Sequence, residues 1–183
     1  MENNFAKKLI EWYKINLRDL PWRKTNDPYK IWVSEIILQQ TRIDQGTPYY
    51  LSFINKFPNV KKLSESTLDE LMKVCQGIGY YSRIVNMHKC AKIVVIEYNS
   101  NFPTKYSELI KLPGIGDYTA SAISSICSGE SKMVVDGNVI RLFSRLYNLN
   151  YQQHSSIMKK TIKKIGEKEI LKFNSGDFNQ ALM

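Results

Sequence analysis

Apolar residues recur at helical spacing along nearly the whole chain, and no stretch alternates apolar with polar as a half-buried strand would. Phe5, Leu9, Trp12, Tyr13 and Leu17 mark one face of a first helix, which Pro21 ends. The spacing predicts a long helix over 29–45, stopped by Gly46 and Pro48, then helices over 49–57, 67–76 and 82–98. Ser66 or Thr67 is suited to cap the helix over 67–76 and Gly77 to end it; Ser107 is suited to cap 108–111. A small-residue helix is expected over 118–127, an extended Val134-Val135, and a helix over 139–147. Lys159, Lys160, Lys163 and Lys164 fall at helical spacing, as a solvated face first and a DNA contact second. Asp177-Phe178 starts a last helix, and the chain stops on Ala181-Leu182-Met183 with no cap or polar tail, the expected mark of truncation. The expected fold class is all-α.

One turn stands out between two of these helices. In Leu112-Pro113-Gly114-Ile115-Gly116, two glycines bracket an apolar residue, which lets the backbone turn tightly and approach a ligand with no side chain in the way. Amides at the start of the next helix, aided by its dipole, can hold a phosphate, while Ile115 plugs the space between the helices. An ordinary glycine-rich turn remains the alternative.

Two carboxylates lie in contrasting settings. Glu35 has Ile31, Trp32, Leu38 and Gln39 as neighbours three and four residues away, so its face is mostly apolar and desolvation disfavours its ionised form. A carboxyl of that kind can serve as a general acid near neutral pH; the plainer alternative is a surface glutamate on a half-buried helix. Asp136, in Val135-Asp136-Gly137-Asn138-Val139, precedes a helix, where an aspartate is ordinarily an N-cap and is favoured in its charged form. One carboxyl able to donate a proton and one held negative is the pairing that glycosidic cleavage requires. Gln39 and Gln40 follow Glu35 by one helical turn, and Gly77-Ile78-Gly79-Tyr80-Tyr81 presents two tyrosines on a flexible turn. Amide and aromatic side chains can fill the gap left by an extruded base, or simply pack on a core; Tyr80 fits the first role and Tyr81 the second.

Charge agrees with a polyanionic partner. There are 26 basic and 17 acidic residues, a net of +9, although many soluble proteins are moderately basic with no such partner. Cys75, Cys90 and Cys127 are too widely spaced for zinc or an iron–sulfur cluster, and their odd number argues against a disulfide framework. No apolar run is long enough to span a membrane, and Met-Glu-Asn-Asn does not open a secretory signal, so a cytoplasmic protein is expected.

Taken in order, Leu20-Pro21-Trp22-Arg23, Asp27 to Glu35 with Leu38-Gln39-Gln40-Thr41, Gly77 to Tyr81, Leu112 to Gly116 and Val135 to Val139 resemble the adenine DNA glycosylases of the MutY type. These belong to the endonuclease III (helix-hairpin-helix) superfamily, and the likeness runs from the first helix to the last residue. It implies two helical domains flanking a DNA-binding cleft: 26–132 as a six-helix block with the hairpin, and 1–25 plus 133–183 as the second. By position, Glu35 becomes the acid that protonates adenine, Asp136 the stabiliser of the sugar cation, and Asn138 its orienting partner. Tyr118 stands where the superfamily's lyases carry a Schiff-base lysine, which implies base removal without efficient strand cleavage. Gln39, Gln40, Tyr80 and the hairpin residues Leu112, Gly114, Ile115 and Gly116 match DNA contacts; Arg18, Arg23, Leu38 and Gln180 match the lining of the adenine pocket. The implied partner is double-stranded DNA with a mispaired base, bound by a monomer. Family members usually continue into a four-cysteine iron–sulfur loop and a domain for oxidised guanine; those cysteines are absent from this sequence, and no cofactor is expected within it.

Three rivals remain open at this level. A glycosylase for another mismatched base such as thymine shares the hairpin, Tyr118 and Asp136 but has no need of Glu35 or Gln39-Gln40. A helix-hairpin-helix DNA-binding module has no need of either carboxylate. A strand-cutting lyase would form a borohydride-trappable adduct.

Overall fold

A computed structural model describes residues 5–150, 155–171 and 173–183. Residues 1–4, whose polar run argues against a secretory signal, lie outside the described residues. Among those described there are only helices and turns: α1 (Phe5–Asn16), a 3₁₀ turn (Pro21–Arg23), α2 (Pro28–Ile37), α3 (Ile43–Lys56), α4 (Val60–Glu65), α5 (Leu68–Val74), α6 (Tyr81–Glu97), α7 (Tyr106–Leu109), α8 (Asp117–Ser128), α9 (Gly137–Leu146), α10 (Ser156–Ile170) and α11 (Ser175–Leu182). The all-α expectation is correct. No helix among the described residues is long and apolar enough to cross a membrane. The chain divides into two units, Asp19–Ile123 on one side and Met1–Arg18 with Ser124–Met183 on the other, so the boundary falls within α8.

Polar side chains fix where these helices begin. Asp27 accepts from the Tyr29 amide, with Pro28 at the first helical position, where its missing N–H costs nothing. Asn59, Ser155 and Asn174 cap α4, α10 and α11 in the same way. Thr67 and Glu70 form a reciprocal capping box on α5, which decides between Ser66 and Thr67. Ser107 does not cap: it lies inside α7, whose N-cap is Lys105, and α4 is a helix that the apolar spacing does not predict.

The largest departure from expectation concerns 29–45, which is not one helix. α2 ends at Ile37, a turn covers 38–42, and Gln40 takes a left-handed φ of 56° before α3 begins. Gly46 and Pro48 therefore sit inside α3 and stop nothing. Gly46 instead sits against Leu38: a Cβ there would lie 2.6 Å from Cδ2 of Leu38, so that side-chain tip would have to shift to admit one. Gln39 and Gln40 consequently project from a turn and do not continue the helix face of Glu35.

In the unit Asp19–Ile123, the core is built from fully buried Trp32, Phe53, Leu63, Leu71, Ile84 and Leu109. Each such side chain contributes roughly 1.5–3 kcal/mol relative to exposure. Tyr29 donates to the Phe57 carbonyl at 2.7 Å, and its burial raises its pKa far above the ordinary tyrosine range. In the other unit, Ala6 and Ile10 of α1 pack with Val139 and Phe143 of α9, Ile162 of α10 and Phe178 of α11. Phe5 meets Phe143 edge-on at 6.1 Å.

Asn179 of α11 organises the approach to α9. It is fully buried, accepts from the Val134 amide at 3.0 Å, and donates to the Lys132 carbonyl at 2.8 Å and to Ser125 Oγ at 2.9 Å. Val134 and Val135 lie outside any helix, and the Val134 amide finds its acceptor in the Asn179 side chain. Asn179→Ala is expected to cost about 2–4 kcal/mol, since it strands a buried N–H and a carbonyl together. The lowered urea midpoint should be accompanied by faster amide exchange at Val134; an unchanged midpoint would refute this account of the segment.

Candidate functional site

Glu35 lies in the last turn of α2, half-buried between Ser34 and Ile36, which are almost entirely excluded from solvent. Leu38 is the C-cap of that helix and is itself half-buried. Arg23 closes the 3₁₀ turn, also half-buried.

The Gly-rich hairpin joins α7 to α8. Leu112 and Ile115 are buried, and the Ile115 amide donates back to the Leu112 carbonyl at 3.2 Å, so the apolar residue does plug the turn. Gly114 carries a φ of 76°, and a Cβ there would lie 2.8 Å from Cβ of Asn86 on α6. Two independent constraints thus demand glycine. Gly116 differs: a Cβ would meet open space, and the residue is exposed at the mouth of α8. Asp117 opens α8, where the helix dipole favours its negative charge, and it accepts from the Tyr106 hydroxyl at 2.7 Å. That hydrogen bond, helped by burial, pushes the Tyr106 pKa up to about 12. Tyr118 follows, half-buried, on a helix whose next residues Thr119, Ala120, Ser121 and Ala122 are all buried.

A second turn, between α5 and α6, presents Tyr80. Its backbone is left-handed at φ 50°, and its side chain is 66% exposed, the wrong environment for a core tyrosine. Tyr81 does not pack on the core as expected. It is also exposed, and its hydroxyl accepts from the Gly77 amide at 3.1 Å, while Tyr49 donates to the Gln76 carbonyl at 3.0 Å. Gln39, Gln40, Tyr80 and Gly114 converge on one recess of about 180 Å³, completed by Ser82, Arg83 and Asn86. The sequence offered no signal for Arg83 beyond its place three residues after Tyr80 among apolar neighbours.

In the other unit, Asp136 is the N-cap of α9. Its Oδ1 accepts from the Val139 amide at 2.8 Å and its Oδ2 from Nδ2 of Asn138 at 3.2 Å. Asn138 in turn accepts from the Arg141 guanidinium. Both carboxylate oxygens are held, so the side chain has a fixed direction. Gln180 of α11 accepts from the Tyr13 hydroxyl at 3.2 Å, and Arg18 is exposed beyond α1.

Cys75 and Cys90 are buried, and burial pushes their thiols up to about 11 and about 12, against the thiolate form that a metal requires. Among the described residues, His, Cys, Asp and Glu form no cluster able to hold a metal ion. The three cysteines do not fit an iron–sulfur cluster.

Residues 33–168 match the model of the HhH-GPD superfamily of base excision DNA repair proteins. The chain is similar over 98% of its length to the adenine DNA glycosylase of Buchnera aphidicola subsp. Schizaphis graminum, at 41% identity and covering 52% of that protein. It is also similar to the adenine DNA glycosylase of Homo sapiens, at 35% identity over 98% of the chain and 34% of that protein. The chain thus spans about half the length of the bacterial relatives it matches. A solved thermostable thymine-DNA glycosylase superposes with a TM-score of 0.88 at 27% identity, over 98% of this chain and 82% of that one. An endonuclease III–DNA covalent intermediate superposes at 0.76 and 21% identity, over 95% and 81%, a likeness of fold alone.

Gly114→Ala is expected to cost about 2 kcal/mol or more, because the new methyl meets both the positive φ and Asn86. A drop in thermal midpoint of several degrees would register it, whereas Gly116→Ala should leave the midpoint nearly unchanged. Equal effects of the two would contradict the separate roles assigned to these glycines.

Proposed function

This chain belongs to the HhH-GPD superfamily of base excision DNA repair proteins, and on that premise we propose that it removes mispaired adenine from duplex DNA by hydrolysing the N-glycosidic bond. The observation that carries the substrate is the 41% identity with a curated adenine DNA glycosylase across 98% of this chain. The half-buried position of Glu35 beside Ser34 and Ile36 supports its part in the chemistry.

In this mechanism the Glu35 carboxyl donates a proton to a ring nitrogen of the extruded adenine. The carbon–nitrogen bond then breaks with both electrons leaving on the base, and positive charge grows on the sugar. Asp136, with its two oxygens held by the Val139 amide and Asn138, faces that charge as a carboxylate. Water adds to the sugar carbon and its proton returns to Glu35, so the products are adenine and an abasic site. Tyr118 supplies no amine, and no Schiff base forms with it. Gln40 and Tyr80 enter the duplex beside the flipped nucleotide, and the Leu112–Gly116 hairpin grips the backbone without reading sequence. Arg18, Arg23, Leu38 and Gln180 belong to the adenine pocket in this account, and the DNA-bound protein is a monomer. The net charge of +9 suits duplex DNA as the partner.

The decisive assay offers duplexes carrying adenine opposite guanine or oxidised guanine, and thymine or uracil opposite guanine. Adenine release is expected, and release of thymine alone would refute the substrate. Glu35→Gln and Asp136→Asn should each lower the single-turnover rate at least ~100-fold while DNA binding persists, on the scale of a lost general acid or charge stabiliser. Borohydride should trap little or no protein–DNA adduct; efficient trapping would favour a lyase.

A further inference from the structure

Arg83 is an arginine with an unusual set of partners. It lies on α6, is 8% exposed, and its guanidinium is shared among segments distant in sequence. Nη1 donates to the carbonyl of Ile36 at 3.0 Å and to that of Gln39. Nη2 donates to the Ile78 carbonyl at 3.1 Å and reaches Thr41 Oγ1 at 3.5 Å. All four acceptors are neutral. A desolvated cation without a carboxylate partner is expensive, and burial accordingly lowers the pKa of this arginine. A structure gains little stability from such an arrangement that an apolar side chain could not supply more cheaply.

What the arrangement does supply is registration. The Ile36 carbonyl lies in the last turn of α2 and the Gln39 carbonyl in the turn after it, where the dipole favours a cation. Each also has a local donor, the Gln39 amide at 3.3 Å and Thr41 Oγ1 at 3.3 Å, so Arg83 adds a long-range tie to a locally bonded turn. Ile78 belongs to the other turn, two residues before Tyr80. One planar fork therefore joins the turn that carries Gln40 to the turn that carries Tyr80, and both residues line the recess that Arg83 itself helps to close. Each of them holds a left-handed backbone, so neither turn would keep its shape by propensity alone.

We propose that Arg83 is a positioning residue that sets the spacing between Gln40 and Tyr80 and thereby the protein's preference for mismatched over matched duplex. This rests on the proposed role of those two side chains in entering DNA. Lysine cannot replace it, because a single ammonium cannot serve carbonyls of two turns from the two arms of a fork.

The test uses the 183-residue chain and hydrogen exchange together with binding to duplexes that differ only in an adenine–guanine mismatch. In the unaltered protein, amides of 38–42 and 77–81 should open together at one rate; two clearly different rates would overturn the tie, whether or not any variant folds. In Arg83→Lys, both turns should exchange faster while α4 and α10 keep their protection. The affinity ratio of mismatched to matched duplex should fall roughly tenfold, with matched binding nearly unchanged, on the scale of one lost charge-assisted contact set. In Arg83→Ala, added ethylguanidinium should restore part of that ratio, an effect that loss of packing alone would not give. Gln40→Ala and Tyr80→Ala separate the two layers. If they lower the ratio and Arg83→Lys does not, the positioning role is wrong. If they leave it unchanged, the role of the two side chains in DNA is wrong, and with it the claimed effect of Arg83 on preference.

Discussion

Carbonyls at the end of α2 accept from local donors and also from a guanidinium on another helix. Arg83 reaches the carbonyls of Ile36 and Gln39 across 47 and 44 residues of sequence. Much of what surrounds the recess follows from this. The chain is free to leave the helix at Leu38, the turn can pass through a left-handed Gln40, and α3 can begin again at Ile43 at an angle that brings Gly46 against Leu38. α6 pays for this with a buried cation, yet it also receives Gly114 of the hairpin against Asn86, one turn after Arg83. A single helix thus seats three segments that line one recess.

The other unit solves a comparable problem with neutral groups. The stretch leading to Asp136 has no sheet to pair with, and Asn179 supplies an acceptor and two donors to it and to α8. Asp136 then inherits a defined start, because the Val139 amide and Asn138 occupy one oxygen each. N-capping and the proposed chemistry make compatible demands here: a cap must accept from backbone amides, and an anion facing a growing positive charge must stay unprotonated.

Much of this was legible in the sequence, and the exceptions share a cause. The hairpin could be found because Pro113 and Gly114 mark a tight turn by their own backbone preferences, and the start of α5 because Thr67 is a residue type that caps helices. The Asp136 cap was visible for the same reason. The break between α2 and α3 was not, since Leu38-Gln39-Gln40-Thr41-Arg42 contains neither glycine nor proline; the groups that stabilise it lie on α6. Gly46 and Pro48 look like helix stops by residue type, yet both lie inside α3, where Gly46 packs against Leu38. The roles of Arg83 and Asn179 are not legible either, as long-range hydrogen bonding leaves no periodic trace in a sequence. Glu35 is half-buried on α2, with Ile31 and Trp32 one turn before it buried and Leu38 one turn after it half-buried.

Gln40 and Tyr80 share one further property. Both hold backbone angles that glycine would adopt without penalty, and neither is glycine. If those two side chains act as proposed, random change that relaxes either turn also blunts what projects from it, so that a sturdier protein and a less discriminating one lie in the same mutational direction.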